Sequence, residues 1–566
     1  DIHVDYNLAY YQDQEITFII KRLDSLFNHF IFNQDRCIGE LKIIPECESG
    51  FLDQVLNAQL APYQGPSQLH EQFEYAVNLH ANQIALICED SQLTYAQLDE
   101  AANAFAHELI SQGVREQMLV GLCFERSAEL MVAILAVLKV GGAYVPLDPA
   151  FPQARLDFML ADAALSFVVT QVKLVDLFKL NNAVRIISLD NNYQGLIAKY
   201  PASKPICSQK LKASDPAYVI YTSGSTGQPK GVLVEHGAIT EHIFAVVEQY
   251  AFNKEDKVLQ VANYAFDTFI EQTFAALFTG ASLVIAGKKV LDCSTFFDLV
   301  EQNQITITDL TPAHFHQFLS RDTSENWKNS SISRLIIGGE PVSCKIIRDW
   351  FEYGNPNGCN LYNAYGPTEA VITSVLKRIT PEDQNRICIG KVFANRQLKI
   401  LNKDMTPTPV GLAGELYIGG PLLARGYLNQ KELTRQKFIT GSIDKETRFY
   451  RTGDMVRLLP DGNLEFIARV DEQIKINGFR VELKEIENQL MASRQLNSCL
   501  VIPETDNNGL VSLIAYVIAN SDADNDELTE VLIAHLALQL PRYMLPREIV
   551  LLEDWPLTPN GKVDKK

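Results

Sequence analysis

The sequence has no apolar run approaching the ~18–20 residues that cross a bilayer, so no membrane-spanning segment is expected. It has no C-x-x-C pair. Its ten cysteines, at 37, 47, 88, 123, 207, 293, 344, 359, 388 and 499, form no cluster with histidines at zinc-ligand spacing. The expectation is a set of reduced thiols in a cytoplasmic protein. Positive charge is scarce: Lys+Arg is 50 against 69 Asp+Glu, a net −19 with histidines neutral. A surface of that sign repels phosphate backbones, so neither nucleic acid nor an anionic membrane is an expected partner. A small anion such as a nucleotide can still bind where backbone dipoles face it. Internal repeats and low-complexity tracts are absent. With 47% hydrophobic and 21% charged residues, the composition excludes wholesale disorder and collagen-like or coiled-coil rods. Asp1 opens without a secretory leader, and the chain is expected to be a piece of a longer one.

At 566 residues the chain exceeds several times the ~150 typical of one domain, so two or more cores are expected. Residues 1–45 read as a strand and then a helix, with Ile16, Ile19, Ile20, Leu23, Leu26, Phe27 and Phe30 in one apolar stripe. Residues 46–69 lack clear periodicity and, with Pro62, Gly65 and Pro66, read as a linker. From about 70, helical patterns such as Ala128–Lys139 alternate with β-rich runs. Those runs are Leu119–Cys123, Ser166–Thr170, Ala217–Tyr221, Leu283–Ile285 and Leu335–Ile337. That βαβ rhythm predicts parallel sheets flanked by helices. Between 395 and 470, short strands split by Gly/Pro/Asp turns predict a small barrel-like antiparallel subdomain, and 473–566 read as a short α+β tail.

The strongest local signal is Tyr221-Thr-Ser-Gly-Ser-Thr-Gly-Gln-Pro-Lys-Gly231, behind an apolar strand. Its glycines permit close backbone approach. Successive N–H groups and hydroxyls can surround phosphate oxygens, and Lys230 adds charge. The spacing of Gly227 and Lys230 excludes the Walker pattern of P-loop ATPases.

That stretch resembles the phosphate loop of adenylate-forming enzymes. Further motifs follow in order: Leu93-Thr-Tyr-Ala-Gln-Leu98, Leu138–Pro149, Asn363-Ala-Tyr-Gly-Pro-Thr-Glu369, Gly414–Gly420, Tyr450-Arg-Thr-Gly-Asp454, Asp471–Glu482, Leu540–Pro546 and Asn560-Gly-Lys562. The set, over roughly 70–566, is similar to the adenylation domain of nonribosomal peptide synthetases.

The resemblance implies an α/β fold. A large N-terminal domain of α/β subdomains plus a β-barrel-like subdomain would span 70–469. A hinge at 470–472 would join it to a small mobile C-terminal α+β domain, 473–566. It also implies formation of an acyl-adenylate from a carboxylate and ATP. The barrier to that step is largely electrostatic, so cations and N–H donors must gather around the phosphates. Thr222, Ser223, Gly224, Ser225, Thr226, Gly227 and Lys230 would hold the β/γ-phosphates. Glu369 would bind Mg²⁺, a hard cation suited to carboxylate and phosphate oxygens. Thr368 would donate to the α-phosphate, Tyr365 stack on adenine and Asn363 read its edge. Asp454 would accept from the ribose hydroxyls, with Arg469 nearby. Lys562 would bridge substrate carboxylate and α-phosphate. Asp471 would be the hinge that lets Lys562 leave and the loop around Lys475–Gly478 enter. The phosphopantetheine thiol of a downstream peptidyl carrier domain would then attack the adenylate.

By the same resemblance Asp267 pairs with a substrate α-ammonium, which favours an α-amino acid over a plain carboxylic acid. Thr268, Glu271, Asp309, Ile336, Gly338, Ala364, Ile372 and Thr373 would complete the pocket with Lys562. Burying two unpaired carboxylates, Glu271 and Asp309, costs several kcal/mol each, and a cationic side chain offsets it. A basic amino acid is expected, lysine first, then ornithine or arginine; a neutral polar residue would follow if one acid is protonated or bonded within the protein. Residues 1–45 resemble the tail of an upstream condensation domain, without its H-H-x-x-x-D-G pattern, and no G-G-[HD]-S carrier motif occurs. The rivals are an acyl- or aryl-CoA ligase and a non-catalytic module that keeps the fold.

Overall fold

The computed structural model describes residues 4–7, 13–32, 42–58, 63, 65–89, 91–179, 183–190, 193–206, 210–224, 227–287, 290–320, 322–354, 358–441, 443–444, 446–476, 478–505, 511–520, 525–556 and 563. The large N-terminal part is built on three sheets. The first is nine-stranded. Its inner strands Ile84–Cys88, Ser282–Ile285, Lys257–Gln260, Ile307–Leu310, Arg334–Gly338 and Asn360–Tyr365 run parallel. The second is seven-stranded around Leu119–Cys123, Ala143–Pro146 and Pro216–Thr222, and continues through the antiparallel strand Lys230–Glu235 to the edge strand Gly426–Tyr427. The helix Ala128–Val140 is apolar nearly all round, as a helix buried between two layers must be. Every residue of Ala128–Val140 is buried, and the helix stops at Gly141, whose φ of +82° suits glycine. The helix Tyr95–Gln112 starts on a capping box, Thr94 with Gln97.

The third sheet, expected as barrel-like, is an open six-stranded sheet of Asn57–Ala58, Arg396–Leu401, Ala413–Gly419, Arg448–Leu458, Phe438–Thr440 and Leu464–Arg469. The stretch read as a linker contributes to it. It carries the helix Glu46–Val55 and the strand Asn57–Ala58, which pairs with Arg396–Gln397. The reason is a polar anchor without periodic signature. Glu48, fully buried, pairs with Arg22 and accepts from the Val410 amide at 2.7 Å. Arg22 lies on the N-terminal helix Asp13–Phe32, and residues 4–7 form no strand. That helix buries Ile16 and Phe18 but leaves Ile20, Phe27 and Phe30 about half exposed, so its stripe is only partly covered.

The C-terminal part opens with the hairpin Gln473–Ile476/Phe479–Glu482 and continues as three strands, Leu496–Thr505, Val511–Ala519 and Glu548–Leu551, under the helices Leu483–Ala492 and Asn525–Gln539. It has its own core around Ile486, Leu490, Val517 and Leu532.

Candidate active site

A cleft of about 1380 Å³ lies between the two parts. Its floor is the carboxyl edge of the nine-stranded sheet, where open α/β sheets bind ligands. Register explains the grouping: Asp309 pairs with Ile336, and Gly338 with Ala364, on adjacent parallel strands, so all four line the cleft. Gly338 is obligatory, since a Cβ there would lie 2.6 Å from the Ala364 carbonyl oxygen. Asp267 and Thr268, at the start of the helix Thr268–Thr279, line the cleft with Glu271, one turn on, and with Ile372 and Thr373. Thus every described residue expected around an amino acid meets in one cavity; Lys562 lies outside the described residues.

The phosphate loop leaves the buried strand Pro216–Thr222. Gly224 has no room for a side chain, because a Cβ would sit 2.0 Å from the Gln228 carbonyl oxygen, and Gly227 has φ +84°. Ser225 and Thr226 lie outside the described residues. The Thr222 hydroxyl is buried and, among the described residues, has no hydrogen-bond partner. A buried hydroxyl without a partner is costly, so it suits an incoming acceptor such as a phosphate oxygen. Lys230 reaches Glu369 at 3.1 Å and lies over the Tyr427 ring. Burial and the Arg480 guanidinium bring its ammonium down to about 8, against the pull of Glu369.

Glu369 is fully buried. It accepts from Tyr427 at 2.7 Å and from Arg480 at 2.9 Å on both oxygens. Burial alone would raise its carboxyl, but Arg480 and Lys230 hold it well below the usual carboxylate range. No group of three acids, histidines or cysteines able to hold a metal occurs among the described residues. One carboxylate is nevertheless a sufficient protein ligand for Mg²⁺ when substrate phosphates complete the shell. Glu369, beside the phosphate loop, therefore fits that role once Arg480 withdraws.

Five residues expected at the nucleotide are engaged within the protein. The Tyr365 hydroxyl donates to Asp454, and Arg469 pairs with the other Asp454 oxygen. Asn363 donates to the Cys388 carbonyl at 3.3 Å. The Thr368 hydroxyl bonds Asp267, not a phosphate position. Burial raises Asp267 to about 6, a shift that Thr368 and Lys475 oppose and Glu271 reinforces. At the junction, Arg469 holds Asp471 through two bonds, at 2.6 and 2.9 Å, and this pairing keeps the Asp471 carboxyl low despite burial.

The hairpin after Asp471 enters the cleft. Lys475 is partly buried near Asp454 and Asp267, and desolvation lowers its ammonium. Gly478 donates to Glu340 at 2.9 Å, and Phe479 stacks on Tyr543 while meeting Phe266 edge-on. Ser223 donates to the Arg480 carbonyl at 2.8 Å. Away from the cleft, Arg155 of the large part and Glu485 of the small one form a buried pair at 3.2 Å. Arg480, Glu340, Arg396 and His242 were not anticipated. Arg480 stands in the 471–482 motif, but only its distance to Glu369 shows its use.

The AMP-binding enzyme family matches residues 73–428, and its C-terminal domain matches residues 485–562. The chain belongs to the AMP-binding enzyme family. A linear gramicidin synthase of Brevibacillus parabrevis is 36% identical over 571 residues, all of this chain and 11% of that protein. Bacitracin synthase 3 of Bacillus licheniformis is 36% identical over 94% of this chain and 8% of its own length. The chain thus spans only a small part, 11% and 8%, of the length of these curated relatives. Among solved structures, a four-domain nonribosomal peptide synthetase bound to AMP and glycine matches 98% of this chain and 40% of its own. It does so at TM-score 0.71 and 30% identity. A fused adenylation–carrier didomain from Klebsiella oxytoca matches 86% of this chain and 94% of its own, at 0.75 and 26%. Within its family the chain is an amino-acid adenylating ligase of the nonribosomal peptide synthetase kind. No helix among the described residues is long and apolar enough to cross a membrane.

Proposed function

We propose that the chain activates a basic α-amino acid, lysine first and then ornithine or arginine. The observation that carries the reading is the alignment of three acids, Asp267, Glu271 and Asp309, along one cavity that also holds Thr222 and Ser223. Asp267 takes the α-ammonium. Burial and the nearby Glu271 hold the Asp309 carboxyl well above its ordinary range, a condition an incoming ammonium relieves.

In adenylation a substrate carboxylate oxygen attacks the α-phosphorus of ATP, the bond to the β-phosphate oxygen breaks, and pyrophosphate leaves. Lys230 and the Thr222–Gly227 loop hold the leaving phosphates, and Lys562 offsets charge at the reacting centre. Mg²⁺ on Glu369 would neutralise phosphate charge. In the second half-reaction, Asp471 turns and the hairpin with Lys475 docks. A phosphopantetheine thiol on a downstream carrier domain attacks the acyl carbon and AMP leaves. We assign 1–45 to an upstream condensation domain, 70–469 and 473–566 to the two adenylation parts, 470–472 to the hinge, and a cytoplasmic setting in keeping with free cysteines.

Amino-acid-dependent exchange of pyrophosphate into ATP tests the reading, over the twenty standard amino acids, ornithine, and fatty and aryl acids. Lysine, ornithine or arginine should win. A fatty or aryl acid as best substrate would replace the reading with a CoA ligase. A neutral polar winner would support the second reading, which one observation favours: Glu271 already accepts from His242 at 3.0 Å and from Thr373 at 3.1 Å.

A further inference from the structure

Behind the pocket wall lies a fully buried arginine that the reaction itself does not use. Arg396 is 1% exposed and donates to the carbonyls of Ala370 (3.1 Å), Val371 (2.8 Å) and Ala394 (3.1 Å), and to the Ser374 hydroxyl (3.1 Å). Its Nη2 also faces His242 Nδ1 at 3.1 Å. A guanidinium only donates, so Nδ1 must accept and the imidazole proton sits on Nε2. Nε2 then donates to Glu271 at 3.0 Å. His242 is neutral in this arrangement: burial and Arg396 lower it, against Glu271. Burial also brings Arg396 down to about 9, though Glu271 and Glu241 oppose the shift.

Two of the carbonyls held by Arg396, those of Ala370 and Val371, belong to a strained turn. Val371 and Ile372, both β-branched, have φ of +55° and +68°, in the left-handed region such residues avoid. A strained turn persists only when its surroundings over-determine it. This turn delivers Ile372 and Thr373 to the pocket, and Thr373 is the second donor to Glu271.

We propose that Arg396 and His242 are specificity-determining positioning residues: they fix the 371–373 turn and, through one imidazole, partly compensate the charge Glu271 shows to the substrate side chain. The proposal rests on the reading of Glu271 as a pocket residue for an amino acid. The cation behind the wall weakens the pocket's preference for a cationic substrate, so removing it sharpens that preference.

The test measures kcat/KM in pyrophosphate exchange for the best cationic and the best neutral amino acid. Arg396→Met and His242→Phe should each raise the cationic-to-neutral ratio at least tenfold. His242→Gln, which can accept from Arg396 and donate to Glu271, should stay within about threefold of the unmutated ratio. The KM for ATP should not move. If Arg396→Met does not fold, His242→Phe reads the same ratio. Folded variants whose ratio matches the unmutated protein within threefold would overturn the proposal and leave both residues as braces only. An unmutated protein that exchanges with no amino acid would overturn the functional reading, and this inference with it.

Discussion

Arg480→Gln removes the cation that meets both oxygens of Glu369 at 2.9 Å, while Lys230 remains at 3.1 Å. Glu369 is fully buried and the Arg480 side chain 16% exposed, so the pair is largely desolvated. Breaking such a pair from one side costs about 3–5 kcal/mol. Lys230 stays and the glutamine can donate one bond, so the cost in the docked arrangement falls at the lower end, about 3 kcal/mol. The chain need not bear that cost, because undocking the C-terminal part returns Glu369 to solvent and ligands. The loss therefore emerges as a population shift of roughly a hundredfold, at about 1.4 kcal/mol per decade. Two assays on one preparation separate the states. On the proposed two-state reading, loading of radiolabelled amino acid onto a carrier protein would need the docked hairpin and should fall about a hundredfold. Pyrophosphate exchange would use the other arrangement and should stay within about threefold, since Glu369 would be freed for the proposed Mg²⁺. Equal losses in both assays, or no loss in either, would refute the reasoning.

Glu271→Gln should raise KM for a cationic substrate at least tenfold with little change in kcat, read by pyrophosphate exchange; an unchanged KM would place the cation elsewhere. Lys562→Ala should lower adenylation by orders of magnitude with the melting temperature intact, and normal adenylation by the folded variant would end that assignment. With Asp267 near 6, the carboxylate that pairs with the α-ammonium is lost as pH falls through that value. Amino-acid kcat/KM should therefore rise with pH through about 6, and Asp267→Asn should remove that limb along with most of the activity.

What could be read before folding was what chain-neighbours encode. The strand Leu119–Cys123 occurs as expected, and the helix expected at Ala128–Lys139 runs to Val140, because an uninterrupted apolar pattern has few other solutions. The phosphate loop was legible for the same reason: its glycines, hydroxyls and lysine are contiguous. Asp309, Ile336 and Ala364 come from three separate strands, and only sheet register brings them to one edge. The partners that escaped notice are polar pairs across long separations. Arg480 and Glu369 are 111 residues apart, Arg396 and His242 154, and Glu48 and Val410 362. Such pairs leave no period, and a lone buried arginine looks in sequence like any exposed one. The helix Glu46–Val55 was missed because its one polar anchor points inward, which blurs the apolar stripe.

Gly227 of the phosphate loop lies against the small C-terminal part. A side chain at Gly227 would strike Asn488 at 2.4 Å, and Ser223 is already committed to the hairpin backbone. If the loop holds phosphates as proposed, triphosphate and hairpin compete for the Ser223 hydroxyl. On the proposed reading, pyrophosphate would be more than waste: while it lingered it would prop the door open, and its departure would let a carrier's thiol take its turn.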